Sequence, residues 1–189
     1  MPLFNVCPWW IGYFLINPLR HFIQNPTEII SPYIKEGMTV IEPGPGMGFF
    51  TLELAKKVGT SGSVIAIDIQ PKMLEGLKKR AKKAGLLERI DTRLAQPESL
   101  GINQLATTVD FVFAFAVVHE LPNVNSFFLE ISRSLKPEAC LLLVEPTGHV
   151  SNEQFEMELK IASQVELEVI DRPSIRRSHS ALLKKLTTP

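Results

Sequence analysis

The stretch that decides the fold is TVIEPGPGMGFF, residues 39–50. The short apolar run at 38–42 predicts a buried strand, as found in parallel sheets. Glycines at positions 44, 46 and 48 then predict a tight turn, and residues 49–58 predict a helix that ends before Gly59. Glycines at the start of such a helix let the backbone approach a ligand and direct N–H groups at it. The stretch therefore indicates the first unit of a ligand-binding α/β domain.

The same alternation of strand and helix continues along the chain. It predicts an α/β fold with a doubly wound, mostly parallel, seven-stranded sheet and an antiparallel C-terminal hairpin. We expect one domain over 1–189, with an N-terminal helical arm at 1–36 and a cofactor-binding core at 37–189. In the arm, Asn25 is expected to cap a helix that Pro32 kinks or shortens and Gly37 ends. The remaining predicted strands are 63–68, 89–95, 110–115, 139–145, 165–171 and 178–186, and the remaining helices are 71–84, 123–135 and 151–162.

Two acids flank the glycine turn in a pattern that points to a nucleoside ligand. Asp68 ends the second strand, where a carboxylate can accept hydrogen bonds from both ribose hydroxyls. Glu42 directly precedes the turn, and its charge would repel a pyrophosphate but suits a ligand with an ammonium and a sulfonium. The glycines follow Gly-x-Gly-x-Gly spacing rather than the Gly-x-Gly-x-x-Gly of dinucleotide binders. A sulfonium nucleoside fits this pattern better than NAD.

Four stretches together resemble the motifs of class I S-adenosylmethionine-dependent methyltransferases. The resemblance implies a Rossmann-like methyltransferase fold, methyltransferase activity, S-adenosylmethionine as cofactor and S-adenosylhomocysteine as product. Where many relatives carry an acid after the third strand, this chain has Gln96, whose carboxamide oxygen is the expected substitute. The four stretches are VIEPGPGMGFFT (40–51), VIAIDIQPKML (64–74), FVFAFAVVHEL (111–121) and LKPEACLLLVEP (135–146). The cofactor-binding residues predicted on this basis are Glu42, Pro43, Gly44, Pro45, Gly46, Gly48, Asp68, Ile69, Gln70, Met73, Ala95, Gln96, Pro97 and Phe115.

Two histidines are the candidates for catalysis. Methyl transfer from a sulfonium needs alignment of the reacting atoms, and it needs a base only when the acceptor must first lose a proton. His119 follows the fourth strand and His149 the fifth, where both are expected at the ligand edge of the sheet. Glu145 ends the fifth strand and either faces the acceptor or has a structural role. A packed histidine that fixes the loop is the alternative for His119, so no catalytic residue is assigned beyond these candidates.

The aromatic N-terminal segment is the candidate for acceptor selection. Trp9, Trp10 and Tyr13 can cover the cofactor site and exclude water. Alternatively, this arm packs on the sheet or on a partner subunit, which would make the protein a homodimer. With no inserted substrate domain in the pattern, the expected acceptor is a small, partly apolar molecule.

Charge and composition limit the classes of function. Twenty basic and twenty acidic residues balance, which argues against a nucleic-acid partner. The basic cluster at 78–83 is interpreted as the solvated face of a helix. The apolar segment at 9–16 is too short to span a membrane, and two cysteines form neither a metal site nor a disulfide framework. A cytoplasmic enzyme is expected, and the alternatives are a non-catalytic cofactor-binding scaffold and an NAD-dependent oxidoreductase.

Overall fold

The structure is a computed structural model that describes residues 8–11 and 24–187. Seven strands alternate with five α-helices in the described part of the chain. The strands are β1 (Thr39–Pro43), β2 (Ser63–Asp68), β3 (Ile90–Leu94), β4 (Val109–Phe115), β5 (Leu135–Pro146), β6 (Leu167–Asp171) and β7 (Ser178–Lys185). The helices are α1 (Pro26–Ile30), α2 (Thr51–Lys57), α3 (Pro71–Lys83), α4 (Val124–Ser134) and α5 (Asn152–Ser163), and short 3₁₀ helices lie at Trp9–Ile11, Leu87–Arg89, Asn103–Leu105 and Val118–Glu120.

The strands form a mixed sheet in the order β3-β2-β1-β4-β5-β7-β6. Strands β1, β2 and β3 pair in parallel, as do β4 and β5. The two C-terminal strands pair antiparallel with each other, and β7 also pairs antiparallel with β5. The predicted fold class, a mostly parallel seven-stranded sheet with an antiparallel C-terminal hairpin, is therefore confirmed.

The chain divides into two compact units, of which the first is Met1–Ala95. Its core contains fully buried apolar side chains from β1, β2, α2 and α3, among them Ile41, Leu54 and Leu77. Burying each such side chain stabilises the fold by about 1.5–3 kcal/mol. The parallel register pairs Pro43 with Ile67 and Asp68 with Leu94. This register brings the carboxyl ends of all three strands to one edge.

The second unit is Gln96–Pro189. Phe113, Phe128 and Phe155 are fully buried in it. Phe115 of β4 pairs with Val144 of β5, so the segments that follow these two strands begin side by side. Helix α5 begins at a capping box in which Ser151 and Gln154 each bond the other's backbone N–H, and this fixes where the helix leaves the segment after β5. That the whole chain forms one domain, with an arm at 1–36, stays a prediction.

Helix α1 and strand β5 depart furthest from their predicted bounds, while several other elements begin or end one or two residues from theirs. Helix α1 has five residues and ends at Ile30, because Pro32 has no N–H to continue it. Strand β5 begins at Leu135 instead of residue 139, because Leu135 pairs with Val109 before the register shifts. In the described part of the chain, no helix is both long and apolar enough to cross a bilayer.

Candidate functional site

The glycine turn after β1 is built from backbone conformations that favour glycine. Gly44, Gly46 and Gly48 have φ angles of 66°, 54° and 85°, a region that costs other residues free energy. The Gly44 N–H donates to the Ile67 carbonyl at 2.9 Å, and the Gly48 N–H donates to the Pro45 carbonyl at 2.9 Å. These bonds tie the turn to the end of β2 and close it upon itself.

The glycines at 46 and 48 serve different purposes. A Cβ atom added at Gly46 would meet no atom within 4 Å, so the backbone there borders open space. A Cβ added at Gly48 would lie 2.4 Å from Leu77 Cδ1. Gly46 thus leaves room for a ligand against the main chain, whereas Gly48 lets helix α3 pack closely against the turn.

Arg80 holds the turn from the side of α3. Its Nη1 donates to the Met47 carbonyl at 2.5 Å, and burial lowers the pKa of the guanidinium. The interpretation of the basic cluster as a solvated face is wrong for this residue, although its neighbours Lys79 and Lys82 are exposed. The sequence signal for its role is that Arg80 adjoins the apolar stripe formed by Leu77 and Ala81.

The two predicted acids are both buried at the carboxyl edge. Asp68 is 9% exposed and Glu42 is 3% exposed. Asp68 Oδ1 accepts a hydrogen bond from the Gln70 N–H at 2.9 Å, which orients the carboxylate at the start of α3. The Asp68 carbonyl accepts the Ala95 N–H at 3.0 Å. The turn, Asp68 and Ala95 therefore lie at one edge of the first unit.

The other predicted cofactor residues lie in several settings. Pro43, Pro45 and Met73 are buried and Ile69 is exposed. Gln96 and Pro97 are exposed in a tight turn, where Gln96 exchanges backbone hydrogen bonds with Ser99 at 3.0 and 3.2 Å. Phe115 ends β4 with its ring centroid 5.9 Å from that of Phe113.

The residues at the edge of the first unit fit S-adenosylmethionine. The main chain at Gly46 is open to a ligand, and a buried carboxylate of the type that binds ribose hydroxyls stands at Asp68. That the fourteen predicted residues contact the cofactor stays a prediction.

In the second unit, Glu145 and His119 form a buried hydrogen-bonded pair. Glu145 ends the core of β5 with its side chain 0% exposed. Its Oε1 accepts the Val117 and Val118 N–H groups at 3.2 and 2.7 Å, and its Oε2 bonds Nδ1 of His119. The strained Ala116, with φ of 54°, directly follows β4 and begins the segment that presents these groups. The hydrogen bond that His119 makes to the Glu145 carboxylate raises the pKa of the imidazole, against the opposing effect of burial.

Two further side chains adjoin this pair. The ring of His149 lies 5.4 Å from that of His119, centroid to centroid, at an angle of 47°. Glu158 of α5 is 8% exposed, and its Oε2 finds no hydrogen-bond partner among the described residues. Burial, and then the charge of Glu145, raise the pKa of Glu158 to about 8. The structure thus brings together three of the residues that the sequence analysis named as candidates for the acceptor side, His119, Glu145 and His149.

Glu158 was not predicted, although the sequence carries a signal for it. It shares one face of α5 with Phe155, Leu159 and Ala162, all of them buried. An acid at that helical spacing lies on the core side of the helix. No group of three or more His, Cys, Asp or Glu side chains in the described ranges is arranged to hold a metal ion.

The structure describes two of the three aromatic residues proposed to select the acceptor. Trp9 and Trp10 are 37% and 54% exposed. The Lys72 ammonium lies 4.3 Å from the centroid of the Trp9 ring. Since Lys72 is in the first turn of α3, Trp9 lies near the end of β2. Tyr13 falls outside the described residues.

Comparison with known proteins identifies a family and several relatives. A model of the methyltransferase domain family matches residues 34–183. Demethylmenaquinone methyltransferase of Lactobacillus johnsonii is 28% identical over 131 residues, which make up 68% of this chain and 53% of that protein. Ribosomal protein L11 methyltransferase of Dictyoglomus thermophilum is 28% identical over 145 residues, 76% of this chain and 43% of that protein. The chain spans about half the length of these curated relatives.

A solved structure matches over nearly the whole chain. It is the crystal structure of an S-adenosylmethionine-dependent methyltransferase from Aquifex aeolicus, which is 26% identical to this chain. The match has a TM-score of 0.85 and covers 96% of this chain and 100% of the other.

Proposed function

Because this chain belongs to the methyltransferase domain family, as a class I S-adenosylmethionine-dependent member, we propose that it transfers a methyl group to a small, partly apolar acceptor. The observation that carries the proposal is the open glycine turn beside the buried carboxylate of Asp68. When bound, S-adenosylmethionine supplies a methyl group that is already activated on a sulfonium. The work left to the protein is therefore binding, alignment and exclusion of water.

The residues of the first unit divide this work among them. Asp68 accepts hydrogen bonds from the ribose, and the Gln70 N–H keeps its carboxylate in place. The main chain at Gly46 lies against the ligand, and Arg80 fixes that main chain through the Met47 carbonyl. Glu42 supplies a negative charge beside a cofactor that carries positive charge.

A small acceptor is supported by the chain's own residues rather than by the names of its relatives. Those names specify both demethylmenaquinone and a ribosomal protein. The formal net charge is zero, which gives no long-range attraction for a polyanion. The exposed rings of Trp9 and Trp10, with Trp9 near the end of β2, offer aromatic surface of the kind that lines small-molecule pockets.

Calorimetry tests cofactor binding. We expect the chain to bind S-adenosylmethionine, and Asp68→Ala to weaken binding by at least about 2 kcal/mol, because the ribose loses a charged acceptor. Asp91→Ala is the matched control, since this carboxylate also lies on a strand of the first unit but is half exposed and pairs with Arg93. Tighter binding of NAD than of S-adenosylmethionine would refute the proposal and favour the oxidoreductase.

Truncation tests the acceptor side. Removing residues 1–16 is expected to leave cofactor affinity intact and to abolish transfer of a tritiated methyl group to molecules of a metabolite extract. Loss of folding on truncation would show that the arm is core structure. Tight cofactor binding by the full chain, without label transfer to any small molecule, would favour the scaffold.

A further inference from the structure

The zero net charge of the chain conceals opposite charges in its two halves. Residues 1–95, the first compact unit, contain twelve basic and eight acidic residues, and residues 96–189 contain eight basic and twelve acidic ones. Such asymmetry indicates a surface for a charged partner. The positive excess of the first unit is concentrated on α3, where lysine or arginine occupies six of thirteen positions.

Helix α3 separates its lysines from its buried side. Lys72, Lys79 and Lys83 follow one another at spacings of seven and four residues, which aligns them along one side of a helix over about 16 Å. Lys78 and Lys82 flank this line, and all five side chains are exposed. We call these five lysines the basic face. The opposite side of the helix is buried and consists of Met73, Leu74, Leu77 and Ala81.

The charges of the basic face are not neutralised by neighbouring acids. Among the residues that the structure describes, none of these five lysines has a partner in an ion pair. In contrast, Lys56 on α2 pairs with Glu53 at 3.0 Å. Helix α3 itself carries one acid, Glu75. The basic face is therefore free to bind a negatively charged partner.

Two exposed tryptophans lie at one end of the basic face. The Trp9 ring centroid is 4.3 Å from Nζ of Lys72, the first lysine of the line. Trp9 is 37% exposed and Trp10 is 54% exposed. An indole ring combines a large apolar surface with one polar N–H group, and tryptophan is enriched where a membrane meets water. The first unit thus presents apolar rings next to a line of positive charge.

We propose that the basic face of α3, together with Trp9 and Trp10, docks this protein on the surface of an anionic bilayer. The lysines lie among the acidic headgroups, and the indole rings enter the boundary between headgroups and acyl chains. Because Trp9 lies near the end of β2, the docked surface adjoins the edge where Asp68 and the glycine turn lie. The inference goes beyond the proposed function, since docking needs no methyl transfer.

Two features favour a bilayer over a nucleic acid. The cations of the basic face are all lysines, while Arg80, the one arginine of α3, is used to bind the Met47 carbonyl. Arginine is the side chain that recognises phosphate with a fixed geometry, whereas lysine acts as a point charge. A bilayer also concentrates partly apolar molecules, which agrees with the acceptor proposed above.

Sedimentation with lipid vesicles tests the role of charge. The full chain is mixed with vesicles of phosphatidylcholine, alone or with an equal amount of phosphatidylglycerol, at about 50 mM and about 500 mM salt. We expect binding only to the anionic vesicles and only at the lower salt. Each lysine near an anionic surface contributes about fivefold in affinity, so the double variant Lys79→Gln and Lys83→Gln should bind about 25-fold more weakly.

A second double variant is the matched control for this loss of charge. Lys35 and Lys56 are exposed lysines of the same unit that lie outside α3. The double variant Lys35→Gln and Lys56→Gln should therefore bind anionic vesicles like the wild type. Circular dichroism establishes that both double variants are folded.

Tryptophan fluorescence tests the placement of the rings. The chain contains only the tryptophans at positions 9 and 10, so its tryptophan emission reports this segment alone. We expect anionic vesicles to shift the emission to the blue and brominated lipids to quench it. Trp10→Ser should weaken binding by about tenfold, because burial of a large apolar side chain is lost, and should leave the dependence on salt unchanged.

Several outcomes would overturn the proposal. They are equal binding to neutral and anionic vesicles, binding that persists at the higher salt, equal affinity of the two double variants, and an unchanged emission spectrum. Tighter binding of poly(U) than of anionic vesicles, compared at equal phosphate concentration, would assign the surface to nucleic acid instead. Docking by a chain that fails to bind S-adenosylmethionine would refute the proposed function and leave this inference standing, and methyl transfer without docking would do the reverse.

Discussion

Replacing Glu158 by Gln should remove a large part of the pH dependence of stability. The pKa of Glu158 rises from its ordinary value of 4.5 to about 8 in the fold. The folded chain therefore holds this proton more tightly than the unfolded chain. The associated stability is fully present below pH 4.5, is lost as the pH rises and is gone above about 8.

The size of the loss follows from the shift. Each pKa unit corresponds to about 1.4 kcal/mol, so the full range gives a loss of about 5 kcal/mol in the free energy of unfolding. That is comparable with the whole stability of a small domain, about 5–15 kcal/mol. Gln cannot ionise and has nearly the same shape as Glu. The free energy of unfolding of the wild type, relative to that of Glu158→Gln, should therefore fall by at least about 3 kcal/mol between pH 5 and pH 8.5.

Urea denaturation followed by far-UV circular dichroism, from pH 5 to pH 9, measures this difference. Fluorescence is less suitable, because both tryptophans lie at the N-terminus and are exposed. Glu156→Gln is the matched control on the same helix: Glu156 is exposed, and its hydrogen bond to Arg172 lowers its pKa. The control should therefore follow the wild type across this range. Parallel curves for wild type and Glu158→Gln would refute the assignment of a buried, neutral acid.

Three further predictions concern the backbone of the two sites. Arg80→Met should lower S-adenosylmethionine affinity about tenfold in calorimetry, because the Met47 carbonyl loses a charged donor, whereas Lys79→Met should not. Gly46→Ala should cost about 1 kcal/mol of stability because of its positive φ, and it should impair cofactor binding severely because the new methyl group occupies the open space beside the main chain. Equal cofactor affinity of wild type and variant would contradict the placing of the ligand against Gly46. Ala116→Gly should leave the free energy of unfolding unchanged or raise it by up to about 1 kcal/mol, because glycine adopts a φ of 54° without strain. A fall of more than about 1 kcal/mol, measured by urea denaturation, would contradict the explanation by backbone strain.

The regular part of the fold was predictable because its signals are local. Strand β2 occupies the predicted residues 63–68, because a short apolar run bounded by a turn and an acid is typical of a buried strand and marks both of its ends. The glycine turn was predictable for the same reason, as three glycines within five residues mark left-handed backbone. The early start of β5 was not predictable, because it depends on pairing with Val109, distant in the chain.

The candidate site shows the same division between local and distant causes. Asp68 is placed by its own strand and could be named from sequence. The bond between His119 and Glu145 joins residues 26 apart, and a sequence pattern shows each of them only as following a strand. Helical periodicity could have identified Glu158 as a residue on the buried face of its helix. The shift of its pKa could not be predicted in this way, because it depends on burial beneath its neighbours and on the nearby Glu145 charge.

The insertion of β7 between β5 and β6 has a consequence for the kinetics of folding. Strand β6 precedes β7 in the chain but pairs only with it among the described strands. Until β7 docks on β5, β6 has no neighbour in the sheet, and the side of β5 that receives β7 is an unpaired edge. Unpaired edges of this kind are where folding intermediates associate wrongly. The last step in closing this side of the sheet is therefore expected to add two strands together, and the yield of refolding should be most sensitive to substitutions in β7.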